Sequence, residues 1–130
     1  MNGATDSYAR GLFGVAALAN FSVAFGLLFF RPAVTPLLQL DPVTGSNLAF
    51  FSLAATMIAV FGYAYLCVAL DPRRFRPFVA LGAIGKLLAV GTTAGHWLVG
   101  DLSWPLPLLI SGDLAFALLF VDYLRRTQGA

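Results

Sequence analysis

Residues 46–70 read SNLAFFSLAATMIAVFGYAYLCVAL, a stretch of 25 residues without one charged side chain. About 20 helical residues, each rising 1.5 Å, cross a hydrocarbon core about 30 Å thick, so this stretch spans a bilayer with more than a turn to spare. It closes at Asp71-Pro72, where a charge meets a residue that has no backbone N–H and disfavours helix in the residue before it. A buried helix of a water-soluble core is apolar too, but it is seldom so long and so uniformly apolar. The bilayer reading therefore decides the fold.

Three further stretches have the same character. One runs from about 8 to 30 and stops at Arg31-Pro32, one from about 78 to 99 ahead of Gly100-Asp101, and one from about 104 to 124 ahead of Arg125-Arg126. The first has no basic leader and no small-residue cleavage pattern, so it is expected to stay in the protein as a span and not to act as a signal peptide. Between spans one and two, residues 32–45 carry Pro32, Pro36, Asp41, Pro42 and Gly45 among Val34, Leu37, Leu38 and Leu40. This mixture predicts a loop lying along the membrane surface with a short interfacial helix in it. The expected fold class is all-α: one integral membrane domain over 1–130, built as an up-down four-helix bundle.

Composition agrees with this. Of 130 residues, 59% are hydrophobic and 11% charged, with a mean hydropathy of +0.84, well beyond the apolar fraction of an ordinary soluble domain. The single cysteine, Cys67, excludes an intrachain disulfide and any cysteine-based metal site. With one His as well, the chain offers no multi-His metal set and no bis-His haem, and no metal or cofactor is expected. No phosphate-binding loop, nucleophile elbow or triad is present, and the loops are too short to carry a soluble active site. The net charge of +2 does not mark a nucleic-acid partner, because the basic residues are distributed by topology.

Of the eight basic residues, Arg10, Arg73, Arg74, Arg76, Arg125 and Arg126 fall on one side of the four-span arrangement, Arg31 falls on the other, and Lys86 lies within a span. Positive residues accumulate on the cytoplasmic side, so both termini are expected there. Trp97 and Trp104 then lie together at the outer interface, where amphipathic rings favour the headgroup level. The Arg73, Arg74 and Arg76 cluster, with Arg125 and Arg126, reads as a topology determinant that also meets anionic lipid headgroups. Seven Arg to one Lys, amid much Ala, Gly and Leu, is a composition common in bacteria with GC-rich genomes and points to a bacterial inner membrane.

Charged side chains within a span are costly, and only two lie near mid-depth. Lys86 is about nine residues into span three, roughly 13 Å along the helix, and Asp113 is about nine residues into span four from its outer edge. A short connection makes these spans antiparallel neighbours, so the two are expected to pair. Asn20, also near mid-depth, is placed to accept from Lys86 and donate to Asp113. Gly82, Ala83, Ala89, Val90 and Thr93 form a slender stripe around Lys86, Gly91 and Gly95 add a small-residue spacing, and Ser52, Ala55, Thr56, Ala59 and Gly62 lead to Tyr63 on span two. Small residues permit close helix approach. Toward the outer end, His96 stands near Thr92, Thr93 and Asp101, where it can titrate near neutrality.

Asn20, Gly62-Tyr63, Asp71-Pro72 with Pro77, Gly85-Lys86 and Asp113-Leu114 together resemble the pattern of a group of small bacterial four-span membrane proteins. The resemblance covers nearly the whole chain and implies a fold and no activity.

Two functional expectations follow. In one, Asn20, Lys86 and Asp113, with Thr93, His96 and Tyr63 nearby, bind or move a small solute, proton or lipid-like molecule, since intramembrane ionisable groups mark pathways and binding cavities. In the other, the pair fixes which helices meet, and the chain is a non-catalytic accessory subunit of a larger membrane complex. An intramembrane enzyme using Asp113 or His96 as an acid is the least supported, for want of protic groups. The expected partners are membrane lipids, further copies of the chain or the members of a larger membrane complex.

Overall fold

The computed structural model describes residues 3–128. Among these it is all-helical, with α1 (Gly3–Phe29), α2 (Arg31–Leu37), α3 (Ser46–Leu70), α4 (Arg76–Leu98) and α5 (Pro105–Arg126). Helix is the form in which a single segment satisfies all of its own backbone groups, which hydrocarbon demands. Four of the five, α1, α3, α4 and α5, are long and apolar enough to cross a membrane. They carry large apolar side chains outward, among them Leu18, Phe29, Phe50, Leu88 and Leu98, each more than 65% exposed. Such surfaces suit a lipid solvent. The helix α2 is a short piece packed on the end of α1.

The sequence punctuation explains the helix ends. Proline opens α2, α4 and α5 in the first turn, where a missing N–H leaves no intrahelical bond unmade. Arg10 Nη1 donates to the carbonyls of Ala69 and Leu70 at 3.1 and 2.7 Å, and so holds the last turn of α3. Arg76 acts likewise on α5, with Nη2 donating to Leu124 O at 2.9 Å and Nε to Thr127 Oγ1 at 3.2 Å. Arg73 reaches Asp6 at 3.1 Å. These contacts gather the start of α1, the end of α3, the start of α4 and the end of α5 at one end of the molecule, here the arginine end. At the opposite end, the tryptophan end, Gly100 takes φ +90° and closes α4, a left-handed conformation that glycine adopts without strain.

The four long helices form two intimate pairs, α1 with α3 and α4 with α5, while α3 meets α4 more sparsely. The core that joins the pairs lies in the arginine-end half. Phe13 of α1 stacks on Phe120 at 4.6 Å and meets Tyr123 edge-on at 5.7 Å, and Tyr65 of α3 meets Phe120 edge-on at 5.2 Å. All four rings are buried, among Ala9, Ala16, Ala17, Val68 and Val79. In the other half, α4 beyond Lys86 has no buried residue. The ring core thus fills the arginine end, while in the other half α4 is uncovered and only single residues of the other spans, Ala24, Ala55 and Pro105, are buried.

Glycine permits the closest approaches. A methyl group on Gly82 would lie 2.5 Å from Tyr65 Cε1, one on Gly85 2.9 Å from Phe61 Cε1, and one on Gly62 3.2 Å from Asn20 Cβ. Aromatic rings of α3 therefore rest directly on the backbone of α4 and fill the space between the two helices. Gly91 and Gly95, by contrast, have nothing within 4 Å, so the small-residue spacing that sequence places in the packing of α4 faces open space in the monomer.

Candidate functional site

The fold brings Asn20, Lys86 and Asp113 together where the ring core gives way to the less buried half. Lys86 Nζ donates to Asp113 Oδ1 at 2.5 Å and to Asn20 Oδ1 at 3.3 Å. The Asn20 amide donates to the Ile58 carbonyl at 3.0 Å. That differs from the expected bond to Asp113: α1 lies against α3, so the nearest acceptor is the α3 backbone. Asn20 thereby ties the α1–α3 pair to the ammonium of α4, while Asp113 supplies α5. All four spanning helices converge on Lys86.

Two rings complete its surroundings. The ammonium lies 5.3 Å from the ring centroid of Tyr65 and 5.3 Å from that of Phe116, and such contacts contribute about 0.5–2 kcal/mol, most when desolvated. The side chain of Lys86 is 5% exposed and that of Asp113 is 29% exposed. The pair is therefore asymmetric, with a sequestered cation and a carboxylate that faces outward.

Two clefts meet at this point. One, of about 180 Å³, runs between α3 and α4 past Met57, Ile58, Phe61 and Ala89. The other, of about 260 Å³, runs between α1 and α5 past Val23, Leu109, Ile110 and Phe116. Asn20, Ile58 and Asp113 line both. Met57 and Leu109 are each more than 40% exposed on the outer surface of the bundle, so the clefts open sideways between helices. Their walls are apolar except at the centre.

Three other candidates stand apart from this centre. Tyr63 is 62% exposed on the outside of α3, because it is two residues from the inward Tyr65 and so points nearly the opposite way round the helix. Thr93 is half-buried further along α4 and lines neither cleft. His96 is ten residues beyond Lys86, about 15 Å along the helix. Its Nδ1 lies 2.7 Å from Asp101 Oδ2, with both side chains more than half exposed.

The arginines divide in two. Arg73 and Arg76 make the internal contacts described above, Arg126 pairs with Asp122 at 3.0 Å one turn back, and Arg74 lies 5.2 Å over the ring of Phe75. Arg74, Arg125 and Arg126 remain exposed, as does Arg73, whose side chain is 59% exposed despite its bond to Asp6.

Tyr65, Phe116 and the Ile58 carbonyl are contacts of the centre that counting along the sequence does not find. One signal points toward the rings. Gly82 and Gly85 stand beside Lys86 at one turn and one residue before it, leaving room for large side chains of a facing helix. The chain matches no family model, no curated protein and no solved structure.

Proposed function

We propose that this is a multi-pass protein of the bacterial inner membrane, akin to the small four-span group it resembles, that binds a small ligand at the Lys86–Asp113 centre, with both termini in the cytoplasm. The observation that carries the reading is the meeting of two lateral clefts at a charge pair whose carboxylate is 29% exposed while its ammonium is 5% exposed. The partly exposed carboxylate sets a polar group where a molecule entering either apolar cleft would meet it. Binding is favoured over passage of a solute or proton through one protomer, because the buried rings of Phe13, Tyr65, Phe120 and Tyr123 close the arginine end. Membrane lipids are the surrounding partner, with Arg74, Arg125 and Arg126 facing anionic headgroups.

Native mass spectrometry of the protein released from its host membrane tests this reading. The expected result is a retained small-molecule adduct on the wild type that is absent from Lys86→Met/Asp113→Leu. A wild type that leaves the membrane without an adduct, or an adduct kept equally by the double variant, contradicts it.

A second reading, an accessory subunit of a larger membrane complex, draws on the small-residue face of α4 at Gly91 and Gly95, where an added methyl would meet nothing within 4 Å. Copurification with one partner at fixed stoichiometry would favour it, and a homogeneous homo-oligomer purified alone would count against it.

A further inference from the structure

The geometry points to a ligand class: we infer that the centre receives a neutral, slender, apolar alcohol from the bilayer, whose hydroxyl donates to the free oxygen of Asp113. This rests on the ligand-binding reading above and adds the chemistry that would be recognised.

The first step is the hydrogen-bond inventory of the centre. Lys86 gives two of its N–H groups to Asn20 Oδ1 and Asp113 Oδ1 and lies against the faces of Tyr65 and Phe116, so although it borders the α3–α4 cleft, at 5% exposure it presents little surface to a ligand. The Asn20 amide is engaged by the Ile58 carbonyl. Asp113 uses one carboxylate oxygen on Lys86, and among the described residues its Oδ2 accepts no hydrogen bond. The most accessible polar group at the clefts is therefore an acceptor, and what it lacks is a donor.

Charge decides which donor. Lys86 and Asp113 already balance, so an arriving cation would leave one net positive charge in an apolar enclosure, which is costly. An anion would meet the outward carboxylate and be repelled. A hydroxyl satisfies the acceptor and adds no charge, and hydrogen bonds to a charged group are the stronger kind.

The walls decide the rest of the molecule. Met57, Ile58, Leu109 and Ile110 offer only apolar surface, and the clefts open sideways, so the ligand arrives from hydrocarbon. At about 180 and 260 Å³, each is smaller than the roughly 300–1,000 Å³ of pockets that hold drug-sized molecules. An alkyl or isoprenoid chain fits these dimensions better than a fused ring system.

Four probes that share one chain separate the possibilities: farnesol, farnesyl methyl ether, farnesylamine and farnesoic acid, each titrated into the purified full-length protein in nanodiscs, with melting temperature and Kd as readouts. The expected result is that farnesol raises the melting temperature and binds at least tenfold more tightly than the ether, which lacks the donor. In Lys86→Met/Asp113→Leu that preference disappears and alcohol and ether bind alike. The alcohol-to-ether ratio in the wild type decides the matter even if the variant folds poorly. Tighter binding of the amine or the acid overturns the ligand class while leaving a ligand site in place. Equal binding of alcohol and ether, or no response to any probe, overturns the inference, and the adduct measurement on protein from its host membrane then decides separately whether a ligand site exists.

Discussion

Position 86 holds an ammonium that is 5% exposed, position 113 a carboxylate that is 29% exposed, and the difference sets how each responds to substitution. Asp113→Leu leaves the ammonium enclosed without its counter-charge, and breaking a buried pair in this way costs about 3–5 kcal/mol. Lys86→Met leaves a carboxylate that is 29% exposed and not 5%, so less of the charge is enclosed and the loss should be smaller. Denaturant titration of the two single variants checks the order, and equal losses would contradict the asymmetry. Asn20→Ala removes the bridge to Ile58 and one acceptor of Lys86 but leaves the ion pair, and is expected to cost about 2–4 kcal/mol by the same measurement. The depth of Asn20, Lys86 and Asp113 can be read by counting, because a helix rises by a fixed amount per residue. Azimuth is harder to read: Tyr63 and Tyr65 are both polar aromatics in one apolar run, and only the packing of α3 against α1 and α4 turns Tyr65 inward and Tyr63 out. A span that is apolar on every side carries too little amphipathic signal to fix that rotation.

At the scale of the helix, sequence shows where spans begin and end, and it does not show which glycines touch a neighbour. The chain has 13 glycines, and the familiar spacing of Gly91 and Gly95 draws the eye, yet the tight contacts are at Gly62, Gly82 and Gly85. What distinguishes them is the large ring facing them from another helix, and that is a property of two segments at once. Gly82→Ala forces a methyl into the Tyr65 ring and is expected to cost about 1–3 kcal/mol, the usual penalty of overpacking. It should also move Tyr65 off Lys86. Gly91→Ala, with open space around it, is expected to change stability by less than about 0.5 kcal/mol. Parallel melting curves of the two variants test the contrast, and a large loss at Gly91 would show that the open face of α4 is covered by another chain. The region between spans one and two was legible in outline, since three prolines among apolar residues predict a short surface piece. Its helical part, Arg31–Leu37, follows directly on α1 because Phe30 and Arg31 continue the chain with little break.

Across the whole molecule, the four-helix class follows from four apolar runs and needs no pairwise information. The uneven packing does not, since it arises from which rings share the arginine end. Both termini are expected in the cytoplasm, so a fluorescent protein fused after residue 130 should be bright and a periplasmic phosphatase reporter at the same place inactive; the reverse would invert the topology. If the ring cluster of Phe13, Tyr65, Phe120 and Tyr123 holds the fold and the charge pair is kept for a ligand, the pair should be dispensable for assembly when both charges are removed together. Replacement of a buried pair by apolar residues of similar size is commonly neutral or stabilising. The deciding measurement is the melting temperature and detergent-solubilised mass of Lys86→Met/Asp113→Leu beside the wild type. A double variant of unchanged mass that melts at or above the wild-type temperature is the expected result, and one that melts as low as Asp113→Leu alone, or fails to assemble, would show that the pair is part of what holds the bundle together.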